Sequence, residues 1–158
     1  MESPETSNTD PPSDCIIPGG TKLLTNIPDA LMLPELICGA LVWILVASID
    51  VFDKFSQGWV IFVSILLFVL TLLLLICYFL GWPRSSTAWC FLDACYHGMA
   101  ALFYSTAAVL QANSTLRLQN TVLRKQYQTD IAATIFAFIA TVLYVVHAVF
   151  SFKRWKTV

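Results

Sequence analysis

Charge is scarce in this chain. Only 12% of its 158 residues are Asp, Glu, Lys or Arg, about half of what a soluble domain carries. With 58% hydrophobic residues and a mean hydropathy of +0.73, too little polar surface is available to cover a water-soluble core, so the composition reads as a membrane protein. The signs nearly cancel, leaving a net charge of −1, which suggests neither nucleic acid nor a strongly charged substrate as a partner, and no nucleic-acid binding is expected. There is no phosphate-binding loop, no dinucleotide fingerprint and no zinc-ligand spacing, so no catalytic residue, cofactor or metal ligand is assigned from motifs. The first residues also lack the basic start and apolar centre of a signal peptide; the first apolar run is expected to direct insertion itself, with nothing cleaved.

What is present falls into a tail and four apolar runs. Residues 1–27 hold Pro4, Pro11, Pro12 and Pro18, several acids and many Ser and Thr, the composition of a disordered tail. The runs lie at about 30–49, 59–80, 89–112 and 131–152, each near the 20 residues a spanning helix needs. They predict an all-α integral membrane fold, a four-transmembrane-helix antiparallel bundle over residues 28–156, with 153–158 as a short basic tail. The connections are about 9, 8 and 18 residues, too short for folded domains. Trp59, Trp82, Trp89 and Trp155 mark span ends as interfacial anchors. An even number of spans puts both termini on one side, and the cluster Lys153, Arg154, Lys156 makes that side cytosolic.

Small residues set the expected packing. In the third span Ala94, Gly98, Ala101, Ser105, Ala108 and Ala112 recur at alternating spacings of 4 and 3, the seam of a left-handed helix pair. The fourth offers Ala133, Ala137, Ala140, Tyr144, His147 and Ser151 at the same spacings. Run antiparallel, these seams set Ala112 against Ala133, Ala101 against Tyr144 and Gly98 against His147. The second span is apolar all round and is expected to face lipid most.

Four ionisable groups break the apolar pattern. Asp93 and His97 share a helix face through their i, i+4 spacing, and Glu35 and His147 fall with them in the cytosolic half, in the first and fourth spans. Such residues mark functional sites by default, because insertion scales charge an ion roughly 2.5–3.5 kcal/mol at mid-bilayer. Three readings stand: a structural polar cluster between helices, a proton or solute pathway, or side chains snorkelling to the interface. Against a pathway, the outer halves of the third and fourth spans carry no ionisable residue short of the loop, so a relay stops halfway.

All five cysteines fall in the tail or the cytosolic half, so no extracellular disulfide is expected, nor any structural one in the monomer. Cys77 and Cys90, beside the membrane edge, are the candidates for acylation. Leu75, Tyr78 and Arg84 satisfy a loose cholesterol pattern. The sequon at Asn113 adjoins a span end and is expected to stay unmodified.

The segments "GALVWILVAS" at 39–48, "QGWVIFVS" at 57–64, "LDACYHGMAALFYSTAAVLQA" at 92–112 and "IATVLYVVHAVFSFKRWK" at 139–156 resemble the MAL family of proteolipids, in the same order and spacing from about residue 23 onward. The resemblance implies the four-helix MARVEL domain, cytosolic termini and no enzymatic activity. It implies a protein of membrane rafts rich in cholesterol and glycosphingolipid, working in vesicular apical or myelin-type trafficking at the plasma membrane, vesicles and Golgi, with raft-associated cargo proteins and further copies of itself as partners. Arg154, Trp155 and Lys156 resemble the family's terminal "RWK" and are a candidate targeting tail. The charged Asp50, Asp53 and Lys54 of the first outer connection depart from the family pattern. The alternative function is a small transporter or channel built on the Asp and His cluster.

Overall fold

The computed structural model describes residues 19–26, 29–50, 54–81, 87–120 and 124–156. Residues 1–18 and 27 of the tail expected at 1–27, and Trp82 and Arg84, lie outside them. The elements are a single turn α1 (Lys22–Thr25), a 3-10 turn (Asp29–Leu31), and four long helices: α2 (Met32–Ala47), α3 (Lys54–Phe79), α4 (Thr87–Leu118) and α5 (Arg124–Lys156). No strand occurs among the described residues.

Local chemistry places the helix ends. Pro34 sits in the first turn of α2, where its missing N–H would have had no intrahelical partner. Ser48 closes that helix, its hydroxyl donating to the Leu45 carbonyl at 2.7 Å. At the far end of α3, Gly81 takes φ 69° and donates to the Tyr78 carbonyl at 3.0 Å, a left-handed stop that a side chain would strain. The amide of Gly20 donates to the Phe79 carbonyl at 3.2 Å, so the segment before α1 satisfies an orphan acceptor of α3. Residues 19–26 therefore belong to the folded unit, and the expected tail ends earlier than residue 27.

The four long helices close into a ring in which α4 packs most extensively on α5, α5 on α2, α2 on α3 and α3 on α4. Residue pairs along α4 and α5 run antiparallel, Asp93 meeting Ser151, His97 meeting His147 and Gln111 meeting Asp130. The outward faces are apolar: Phe62, Leu66, Leu73 and Ile76 on α3, and Leu102, Val109, Val142 and Val149 on α4 and α5, are exposed. The core between the helices joins Val42, Val46, Val60, Val63 and Leu67 to the alanines and tyrosines of α4 and α5.

Among the described residues, α2 with its preceding turn, α3 and α5 are long and apolar enough to cross a membrane by composition. Helix α4 falls short because it supplies the polar lining of the ring: Asp93, His97, Gln111, Ser114 and Thr115 are all buried on it. A helix that turns one face into the ring need not be apolar on that face.

Three expectations need correction here. The α4–α5 connection is not 18 residues: α4 runs on to Leu118 and α5 starts at Arg124. Hydropathy ended the spans where polar residues begin, but Gln111, Thr115 and Asp130 satisfy one another across the helix pair and carry both helices further. Next, residues 153–156 are the last turn of α5 rather than a separate tail.

The third correction concerns the α4 seam. All six α5 positions, Ala133, Ala137, Ala140, Tyr144, His147 and Ser151, are buried, as are Ala94, Ala101 and Ala108 of α4. Gly98 and Ala112, however, are only partly buried, and Ser105 is exposed. The packing face instead runs through Asp93, His97, Ala100, Tyr104, Ala107, Gln111, Ser114 and Leu118, rotated by one residue. Accordingly His147 stacks on His97 and Tyr144 on Tyr104, in place of the expected Gly98 and Ala101. The close-approach glycine is Gly39 of α2, where an added Cβ would stand 3.3 Å from the Tyr104 hydroxyl; at Gly98 it would meet nothing within 4 Å.

Candidate functional site

One end of the ring, where α2 and α4 begin and α3 and α5 finish, is filled by a buried polar network. Glu35 from α2, Asp93 and His97 from α4 and His147 from α5 are all fully buried, with no exposed surface at all. They meet in the interior, and none snorkels to the bundle surface. His147 Nδ1 lies 2.9 Å from Glu35 Oε1, and His97 Nε2 lies 3.7 Å from Glu35 Oε2. The two imidazoles stack with ring centroids 3.5 Å apart.

Asp93 is the hub of the other half. Its carboxylate accepts from the Tyr78 hydroxyl at 2.8 Å, from Ser151 at 2.6 Å and from Arg154 Nη2 at 3.0 Å. Arg154 Nη1 reaches Asp29 on the 3-10 turn, at 2.9 and 3.1 Å to its two oxygens. Every one of the four long helices thus contributes a group. Paired and hydrogen-bonded charges of this kind are tolerated where single ones are not, because breaking a buried pair leaves an uncompensated ion.

Sequence reading missed Asp29, Tyr78, Ser151 and Arg154. A signal existed for one: antiparallel seams that set His97 on His147 also set Asp93 opposite Ser151. It missed two further polar groups as well. Midway along the bundle, Thr71 bonds both the Tyr96 hydroxyl at 2.7 Å and the Tyr144 hydroxyl at 2.8 Å. Toward the other end, Gln111 Nε2 donates to Asp130 at 2.6 Å, and Thr115 donates to the same carboxylate and bonds Thr134 at 2.8 Å. The expectation that polar groups stop halfway considered ionisable residues alone and overlooked these.

Residues 24–150 match the membrane-associating domain called MARVEL. The chain belongs to the MARVEL family. Within it, the chain is 50% identical over 141 residues to the myelin and lymphocyte protein of Homo sapiens, covering 89% of this chain and 92% of that protein. The counterpart in Canis lupus familiaris is 48% identical over the same length. CKLF-like MARVEL transmembrane domain-containing protein 8 of Homo sapiens is 31% identical over 138 residues, 86% of this chain and 78% of that protein. No solved structure gives a significant match. This is a MAL-type membrane protein.

In this MARVEL chain the remaining expected sites fare differently. Cys90 is fully buried and disulfide-bonded, so it is not an acylation site, and the expectation of a monomer without a structural disulfide is also corrected. Residue spacing cannot show which thiols a fold brings together. Cys38, Cys77 and Cys95 are free thiols. Cys77 is half-exposed in a lipid-facing groove with Leu70, Leu73, Trp89 and Leu92. The cholesterol pattern loses its central residue: Tyr78 is fully buried and spends its hydroxyl on Asp93, so its ring faces protein rather than lipid. The expected targeting tail is likewise engaged. Arg154 is held by Asp29 and Asp93, and Trp155 packs on Phe91 at 5.2 Å, leaving Lys156 exposed.

Proposed function

We propose that this chain is a non-enzymatic proteolipid that organises membrane rich in cholesterol and glycosphingolipid and supports vesicular sorting of raft-associated cargo, with both termini in the cytosol. The observation that carries this reading is the division of the molecule: Glu35, Asp93, His97 and His147 have no exposed surface, while the outer faces of the described helices expose many Leu, Ile, Val and Phe side chains. Carboxylates and imidazoles without exposed surface do not present themselves to a substrate molecule, so the working surface in this reading is the one that meets lipid. Likeness to the myelin and lymphocyte proteins supports the same reading.

The test extracts the protein with surrounding lipid, using a polymer rather than detergent, and compares that lipid with lipid taken up alongside an unrelated four-span protein of the same membrane. Enrichment of cholesterol and glycosphingolipid is expected, with slower delivery of surface cargo when the protein is depleted. Identical lipid around both proteins would remove the basis of the proposal.

A transporter or channel remains the second reading, favoured by one observation: polar groups recur along the bundle from Asp29 through His97, Thr71 and Tyr144 to Asp130. Reconstituted protein in pure lipid decides it. An Asp93-dependent proton or solute flux would replace the lipid-organising reading; the expected result is no flux above empty vesicles.

A further inference from the structure

The least explained contact in the network lies where α2, α4 and α5 meet. His97 Nδ1 is 2.9 Å from the Asp93 backbone carbonyl, which can only accept, so Nδ1 carries the ring proton. In a neutral ring Nε2 is then a bare lone pair. It is buried, has no hydrogen-bond partner and faces Glu35 Oε2, itself buried and unpartnered, across 3.7 Å. Two lone pairs facing each other away from water repel, and native interiors rarely leave such atoms unsatisfied. A cation between them removes both deficits at once.

The surroundings specify what kind. His147 closes the third side, with its Nε2 also buried and unpartnered, and one donor atom from each of Glu35, His97 and His147 lies within 4.8 Å of the other two. Donors held about 2.0–2.2 Å from a tetrahedral ion stand roughly 3.4 Å apart, close to the 3.7 Å between Glu35 and His97; the two imidazoles, stacked face to face at 3.5 Å, must turn on binding so that both ring planes contain the ion. The Asp93 carbonyl behind His97 fixes the ring as an outer partner does for a metal-bound histidine. Charge agrees: Asp29, Glu35 and Asp93 against Arg154 leave a formal −2 with neutral imidazoles, the complement of a divalent ion. Two imidazoles and a carboxylate, without a thiolate, suit zinc and its transition-metal neighbours rather than calcium or magnesium.

We infer that Glu35, His97 and His147 form a structural binding site for a divalent transition-metal ion, for which zinc is the probe. The site ties three helices together independently of any lipid preference. Its donors come from three separate helices and have no local spacing, so no sequence motif marks it.

The test uses the full chain, purified with a tag free of histidine, stripped with chelator and dialysed against Zn²⁺. Elemental analysis is expected to find about one zinc per folded chain, falling to background in Glu35→Gln and His97→Gln. Zinc should also raise the melting temperature of the wild type and leave that of folded variants unchanged. Should a variant fail to fold, Co²⁺ added to the wild type keeps the question open to a clear answer, since nitrogen and oxygen ligation gives visible absorption bands. Folded wild-type protein that takes up neither ion overturns the proposal and makes a proton the neutralising cation. So does zinc retained at the same stoichiometry in folded His97→Gln.

Discussion

Arg154 and Asp93 stand 61 residues apart in the chain and 3.0 Å apart in the fold, joining the last turn of α5 to the first turns of α4. The same guanidinium holds Asp29, so one side chain fastens the entry of α2, the start of α4 and the end of α5. A terminal basic residue that reads as a free tail is in fact a clasp.

Asp93→Asn is therefore expected to destabilise the protein by on the order of 3 kcal/mol, since it leaves Arg154 short of a partner in a largely buried position. Thermal melting in detergent checks the single variant. Combining it with Arg154→Met should give less loss than the sum of the two changes, and simple additivity would show that the pair is not coupled.

Tyr78→Phe separates a structural tyrosine from a sterol contact. Losing the hydroxyl leaves Asp93 one donor short, at a cost of about 1–3 kcal/mol. Photo-crosslinking to a cholesterol analogue should be unchanged. Loss of crosslinking with stability intact would return Tyr78 to the lipid surface.

The two glycines of the helix faces should respond oppositely. Gly39→Leu is expected to push α2 away from Tyr104 and cause retention in the endoplasmic reticulum, whereas Gly98→Ala meets open space and should be exported normally. Equal behaviour of the two would contradict the observed rotation of α4.

Thiol chemistry gives a fourth check. Under non-reducing conditions a membrane-permeant maleimide should label Cys77 and spare Cys90, and hydroxylamine-sensitive acylation, where found, should disappear in Cys77→Ser alone. Labelling of Cys90 before reduction would mean that its disulfide does not form in the cell.

At the other end of the bundle, Asp130→Ala removes the side-chain acceptor of Gln111 Nε2 and leaves that buried donor unpaired, while Thr115 keeps the Gln111 carbonyl and Thr134. A loss of about 1–3 kcal/mol is expected. Hydrogen exchange should quicken first in residues 111–118 and 124–130, which are helical by virtue of that pairing.

Much of this protein was determined by its sequence alone. Four apolar runs in a chain with so few charges leave no alternative to a helical membrane bundle, because backbone polar groups in lipid must be satisfied within each segment. The residues that interrupt those runs, Glu35, Asp93, His97 and His147, were legible for the same reason: an ion in lipid is too costly to be incidental. The tertiary structure decided where they point and what they meet. In α4, alanine, serine and glycine occur on several sides, so a stripe of small residues does not fix the helix's rotation; the cross-helix hydrogen bonds of Asp93 and Gln111 and the stacking of His97 on His147 do. Hydropathy also ended α4 and α5 too early, because it scores each residue against water and lipid and assigns no value to a partner on the next helix. Arg154 shows the limit most plainly: its charge is readable in the sequence, but only the folded chain brings Asp29 and Asp93 to it from more than sixty residues away.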